Sequence, residues 1–254
     1  MPPQLFLNIK PQKNRKSNRK SMKISAIGLP ELNPGKHNVK DSRLDEVDSI
    51  TKAKKKTYVQ VEVVGEEGAI DADAILVVKD SASDLILKDL EFVETRLSRS
   101  TDEIEKTLFN KLKAVLEKEQ FIFSAGLADE EKKELVKYGL LTAKPVITAE
   151  AKDLEDKNAL LLKALKEGGF ISFFTTGEKD TRAWLIRNGE NAWEASGAIH
   201  SDIQQGFIRA EIIPFKDFME CGGENKAKQA GKMRLESKEY IMQDCDLANF
   251  RFNK

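Results

Sequence analysis

The run Gly28-Leu29-Pro30-Glu31-Leu32-Asn33-Pro34-Gly35-Lys36-His37 places two glycines, a lysine and a histidine on one loop after a short apolar strand. Glycines with a lysine at a strand-to-loop junction suit phosphate chemistry: backbone N–H groups can wrap an anion, and an ammonium can reach its outer oxygens. A working phosphate loop has the form G-x-x-x-x-G-K-[ST], the final hydroxyl holding magnesium. Here the glycines stand two residues too far apart, Pro34 removes a backbone donor, and His37 occupies the place of the hydroxyl. All three departures weaken the same site.

Other chemistries find less support. His37 and His200 are the only histidines, so little acid–base work is possible near neutral pH. His200 has no nucleophile or second ligand at a suitable spacing and reads as a structural or partner-contacting residue. Cys221 and Cys245 lack metal-ligand spacing and suit reduced thiols. There is no G-x-S-x-G elbow and no dinucleotide fingerprint. The 42 Lys and Arg residues balance 42 Asp and Glu, so no global field points to nucleic acid, membrane or acidic substrate, and any such contact is local. No apolar run approaches the roughly 18 residues a membrane span requires. A soluble, cytoplasmic protein without membrane contact is expected.

Residues 1–21 contain six Lys and Arg side chains and no acid, a self-repelling composition expected to form a disordered leader, with an RNA-touching arm as the alternative. From Met22 an apolar strand runs to Gly28 and Pro30. Thr57–Val64 alternates as a strand, and Ala74–Val78 is a fully apolar one. Ser83–Lys118 lacks Gly and Pro and repeats apolar residues every three or four positions, which predicts a long helix or helix pair. A break near Ser98–Thr101 would let Thr101 or Asp102 cap the second piece. Ala128–Tyr138 reads as a short amphipathic helix, Lys144–Thr148 as a strand, and Ala159–Lys166 as a helix closed by Gly168-Gly169. Beyond that boundary, strands at Phe170–Phe174, Ala183–Arg187, Gly206–Ile213 and Asn249–Phe252 surround a helical stretch near Trp193–His200, an α+β signature. The expected division is a leader (1–21), an α/β domain (22–167) with a hairpin insert at about 83–118, and a second domain (168–254).

The stretch Phe173-Phe174-Thr175-Thr176-Gly177-Glu178-Lys179-Asp180-Thr181-Arg182-Ala183-Trp184 resembles the start of the TGS domain of YchF/Obg-like ATPases. Ala198-Ile199-His200-Ser201-Asp202 and Gly206-Phe207-Ile208-Arg209-Ala210-Glu211 are similar to that family's I-H-[ST]-D…G-F-I-x-A-E block. Cys221-Gly222-Gly223-Glu224, Ala230-Gly231-Lys232, Arg234-Leu235-Glu236, Tyr240-Ile241-Met242-Gln243-Asp244 and Phe250-Arg251-Phe252 complete the pattern. The resemblance implies a shortened P-loop-like α/β domain with a helical hairpin, followed by a ubiquitin-like β-grasp domain. It also implies a ribosome or RNA partner, met by a surface for which His200, Asp202, Arg209, Lys232 and Arg234 are candidates. The basic segment Lys226–Lys238 could meet RNA phosphates, although Glu224, Glu236 and Glu239 dilute it and make a solvated face the plainer reading.

Upstream, Asp41-Ser42-Arg43-Leu44-Asp45 resembles the family's D-P-R-L-D segment, and Glu62-Val63-Val64-Gly65 falls where the family has D-x-x-G. The resemblance makes Gly28, Gly35 and Lys36 a vestigial nucleotide site for ATP or GTP, with Glu62 in place of the Asp that organises Mg2+; the plainer reading of Glu62 is a strand end. The Asn-rich base-recognition loop is replaced by Glu150-Ala151-Lys152-Asp153. The leading expectation is a non-hydrolysing binding or regulatory module with no assigned catalytic residue or cofactor. The alternatives are residual nucleotide binding and hydrolysis through the altered loop, and a charged hairpin serving as a dimerisation or docking arm.

Overall fold

The computed structural model describes residues 21–253. In chain order it begins β1 (Met22–Ile27), β2 (Gly35–Val39), α1 (Ser42–Thr51), β3 (Lys56–Thr57), β4 (Val59–Val64) and β5 (Ala74–Val78). There follow α2 (Ala82–Arg99), α3 (Glu103–Leu116), α4 (Asp129–Leu135), β6 (Val146–Ala149) and α5 (Lys157–Glu167). The last part comprises β7 (Phe170–Thr175), β8 (Thr181–Arg187), α6 (Ala192–Ile199), α7 (Ser201–Gln205), β9 (Phe207–Ile213), α8 (Phe215–Cys221), α9 (Glu224–Gln229), β10 (Arg234–Glu236) and β11 (Leu247–Phe252). Two compact units result: Met22–His37 with Val61–Gly168, and Asn38–Gln60 with Gly169–Lys254. Residues 38–60 therefore pack with the C-terminal third rather than with the segments that bracket them in sequence.

The first unit centres on a five-stranded sheet in the order β2-β4-β1-β5-β6. β1 pairs in parallel with β4 and β5, and β5 with β6. Buried on both faces, β5 reads as the continuous run Ala74-Ile75-Leu76-Val77, as a parallel sheet requires. Helices α2 and α3 form a hairpin whose second helix starts at Asp102, where the carboxylate accepts the Ile104 N–H at 2.9 Å. Phe109, Leu112 and Val93 are fully buried between these helices and the segment containing Leu127, Leu135 and Leu140. Two buried polar side chains, Asp89 and Thr142, meet beside this packing. Asp89 of α2 accepts the backbone N–H of Leu141 at 3.1 Å and both the N–H and hydroxyl of Thr142, at 2.7 and 2.6 Å.

The second unit is built on a six-stranded sheet in the order β10-β9-β11-β7-β8-β3. Phe173, Phe250, Ala210 and Ile212 form one face and pack with Ala192 and Ala195 of α6. The D-S-R-L-D segment, read above without a physical role, builds the start of α1. Asp41 caps the helix by accepting Arg43 N–H at 3.0 Å. The Arg43 guanidinium grips Asp41 at 2.7 Å and Asp244 at 2.6 Å, while Asp244 also accepts the Ser172 N–H of β7. At the other end of α1, the Thr51 and Thr181 hydroxyls lie 2.8 Å apart, and β3 pairs in parallel with β8.

Several elements differ from expectation. The single strand expected over Thr57–Val64 is divided at Tyr58, with Lys56–Thr57 pairing in one sheet and Val59–Val64 in the other. The loop after Gly28 contains the strand β2, and helices α1, α8 and α9 each bury too few residues to leave a clear period in the sequence.

Asp89 generates a direct test of the hairpin's anchoring. Asp89→Ala leaves buried donors without partners and is expected to cost about 2 kcal/mol in urea denaturation. A loss below about 0.5 kcal/mol, the scale of a surface substitution, would show that these hydrogen bonds do not hold α2 to the Leu141-Thr142 turn.

Candidate functional site

The phosphate-loop candidates lie in the first unit. Gly28 follows β1 with φ +69, a left-handed turn open to glycine. The loop that follows is pinned inward rather than left open: Leu29 and Leu32 are buried, and the Leu32 N–H is spent on the Leu29 carbonyl at 3.1 Å. Pro30 and Pro34 have no N–H to offer. His37, at the position of the magnesium-holding hydroxyl, donates from Nε2 to the Asn33 carbonyl at 2.7 Å and so closes the loop on itself.

Beyond the loop the chain enters a strand, not a helix. Gly35 and Lys36 open β2 and are exposed. Because β4 lies between β2 and β1, Lys36 stands two strand spacings, about 10 Å, to the side of the strand that Gly28 ends. A phosphate loop needs its lysine over the anion that the same loop wraps. Glu62 lies within β4 opposite Lys23 of β1 and is half-buried, while the Gly65 carbonyl accepts the Ser25 hydroxyl at 3.0 Å. The structure thus places Gly28 after β1, Lys36 in β2 and Glu62 in β4. Among the described residues, no group of three or more His, Cys, Asp or Glu is placed to hold a metal ion.

The five surface candidates of the second unit separate into different environments. His200 ends α6 and caps α7: its Nδ1 accepts the Asp202 N–H at 3.1 Å, and its own N–H reaches the Ser196 carbonyl. That is a structural use of the imidazole and of the Asp202 backbone, while the Asp202 carboxylate stays exposed. Lys232 pairs with Asp217 at 3.1 Å. Arg234 lies 3.0 Å from the Tyr240 hydroxyl, which in turn donates to buried Asp246 at 2.9 Å. Burial, followed by the nearby Asp246 carboxylate, pushes the Tyr240 hydroxyl up to about 12. In register Arg234 opposes Ile212, whereas Arg209 belongs to the alternate face with Glu211. Arg209 and Arg234 therefore do not share a surface.

Sequence reading missed the group that does accompany Arg209. Glu211 is buried and accepts from Arg251 Nε at 2.8 Å and Asn249 Nδ2 at 2.8 Å. Strand alternation in Phe250-Arg251-Phe252, with the aromatics flanking a charge, was the available signal. Burial pushes the Glu211 carboxyl up, but the hydrogen bonds from Arg251 and Asn249 and the charges of Arg251 and Lys228 prevail and hold it below the usual carboxylate value. Glu211 and Asn249 also line a cleft of about 260 Å³, together with Thr176, Phe218, Glu224 and Met233.

Fold and site together define a mixed α/β protein with two sheets, in which the loop that follows the first strand leads to a second strand. A family model described as "YchF-GTPase_C: Protein of unknown function (DUF933)" matches residues 170–253. "Ribosome-binding ATPase YchF" of Haemophilus ducreyi is 31% identical over 255 residues, covering 76% of this chain and 69% of the relative. The Haemophilus influenzae protein of the same name is 30% identical over 233 residues, 67% of this chain; the chain spans 64% of that relative's length. The solved "Structure of the Schizosaccharomyces pombe YchF GTPase" is similar in fold, with a TM-score of 0.68, 19% identity, and coverage of 91% of this chain and 98% of that one. The chain belongs to the YchF/Obg-like family. No helix among the described residues is long and apolar enough to cross a membrane.

The Glu211 cluster sets an acid limit on the second unit. A folded-state value below the unfolded one stabilises the protein above the ordinary glutamate value, about pH 4.3, and that contribution is lost as pH falls through the folded value. Thermal unfolding followed from pH 7 to pH 3 should show a steeper decline in wild type than in Glu211→Gln. Parallel declines would mean that Glu211 carries no proton-linked stability.

Proposed function

We propose that this chain is a YchF-related binding or regulatory module of the cytoplasm that associates with the ribosome or RNA and does not hydrolyse nucleotide. In this reading residues 168–254, with residues 38–60 packed in the same unit, form a TGS-type β-grasp domain, and residues 22–37 and 61–167 supply a reduced P-loop-like domain with its helical hairpin. The observation that carries it is the strand-to-strand path from β1 through residues 28–34 to β2. Phosphate loops gain their affinity from backbone N–H groups and from the N-terminus of a helix that follows directly. Here that helix is replaced by β2, two loop residues are prolines, and Lys36 is displaced to the side. Removing one preorganised contact to a transition state costs about 3 kcal/mol, and several are altered together. The ribosome reading draws on the relatives named "Ribosome-binding ATPase YchF".

Cosedimentation with purified ribosomes at graded salt tests this function. The protein should pellet with ribosomes at low ionic strength and leave the pellet progressively as salt rises, as contacts to phosphate do. Absence from the ribosomal pellet at the lowest salt would overturn the assignment.

A further inference from the structure

Arg209 and Arg251 stand directly opposite each other on β9 and β11. Like charges at opposed cross-strand positions, with Cβ atoms about 5 Å apart, destabilise a sheet. Arg251 is partly compensated, because its guanidinium grips Glu211 while half its side chain stays exposed. Arg209 is exposed, and among the described residues its side chain has no hydrogen-bond or ion-pair partner. Lys228 adds a third positive charge, close enough to act on Glu211. The carboxylates nearby are committed: Glu211 to Arg251 and Asn249, and Glu224, in the adjoining cleft, to the Thr176 hydroxyl at 3.2 Å. Leu235, opposite Glu211 in register and on the same face, is 57% exposed.

An uncompensated arginine set against a second arginine costs the fold and calls for an outside anion. Guanidinium groups present planar forks of donors matched to phosphate oxygens. Arg209, Arg251 and Leu235 are exposed to solvent rather than enclosed, which fits an extended polymer better than a small enclosed anion, and Leu235 offers apolar surface for ribose or base. We infer that Arg209 and Arg251, flanked by Lys228 and Leu235, form a binding strip for the phosphodiester backbone of single-stranded RNA. This rests on the ribosome or RNA reading above and assigns it to one face of β9 and β11. It also leaves His200, Lys232 and Arg234 out of the primary contact, since each has a partner within the fold, and Asp202, whose carboxylate would repel phosphate.

The experiment is fluorescence anisotropy of the full chain with a labelled uridine oligonucleotide of about twelve residues, titrated at roughly 50 to 200 mM salt. Arg209→Gln should bind several-fold more weakly, with the log–log salt slope reduced by about 0.7 for one lost phosphate contact on a single strand. Its melting temperature should not fall, because no internal partner is lost. Arg209→Lys should retain the slope. No binding by wild type, or an unchanged slope in Arg209→Gln, overturns the site, as does displacement of the RNA by poly-glutamate as readily as by unlabelled RNA, which would make it an acidic-peptide surface. Wild-type protein that pellets with ribosomes yet fails to bind the oligonucleotide overturns this strip alone and leaves the ribosome reading standing.

Discussion

Parallel pairing of β1 with β4 on one side and β5 on the other fixes where the chain leaves the first sheet, at Gly28. The character of that unit's site follows from the path taken next. A helix starting there would direct its N-terminal N–H groups and partial positive charge at a bound phosphate. A strand offers no such convergence. With β2 laid beyond β4, the loop between them is free to satisfy itself, and it does so with two buried leucines, an internal backbone hydrogen bond and the His37 contact to Asn33. Gly28, Lys36 and Glu62 therefore share no common centre.

The second unit has the opposite history of constraint. Its sheet is completed from upstream, by β3 at one edge and by α1, whose Arg43 reaches Asp41 and Asp244 at once. The Arg43 side chain is 39% exposed, so solvent screens part of its attraction. Its two-sided grip nevertheless gives orientation, as forked guanidinium contacts do. The Asp41–Asp45 segment is thus a support of the C-terminal sheet.

Much of this was legible in the amino-acid order. The apolar run at Ala74–Val78, the period of α2 and α3, the Asp102 cap and the strands at Phe170 and Ala183 each leave a local pattern that one element dominates. The spacing of Gly28 and Gly35 departs from that of a phosphate loop, and the structure runs from one strand to another between them. The β2 strand was not legible, because Gly-Lys-His-Asn-Val buries only Val39 and reads as a turn. Residues 38–60 looked continuous with their neighbours because membership of a unit is a long-range property that no local period records. Among surface charges, sequence could name Arg209 and Arg234 together, but only the β9–β10 register separates their faces and only the β9–β11 register sets Arg209 against Arg251.

The altered path after Gly28 bears most directly on whether nucleotide is held at all. Thermal melting of the full chain across millimolar ATP and GTP, with and without Mg2+, measures this, because a ligand that binds only the folded state raises its apparent stability. The strand-to-strand path from β1 to β2 predicts a melting midpoint that stays flat for both nucleotides in either condition. A magnesium-dependent rise with ATP or GTP would contradict this account and make Lys36 and Glu62 parts of a working site.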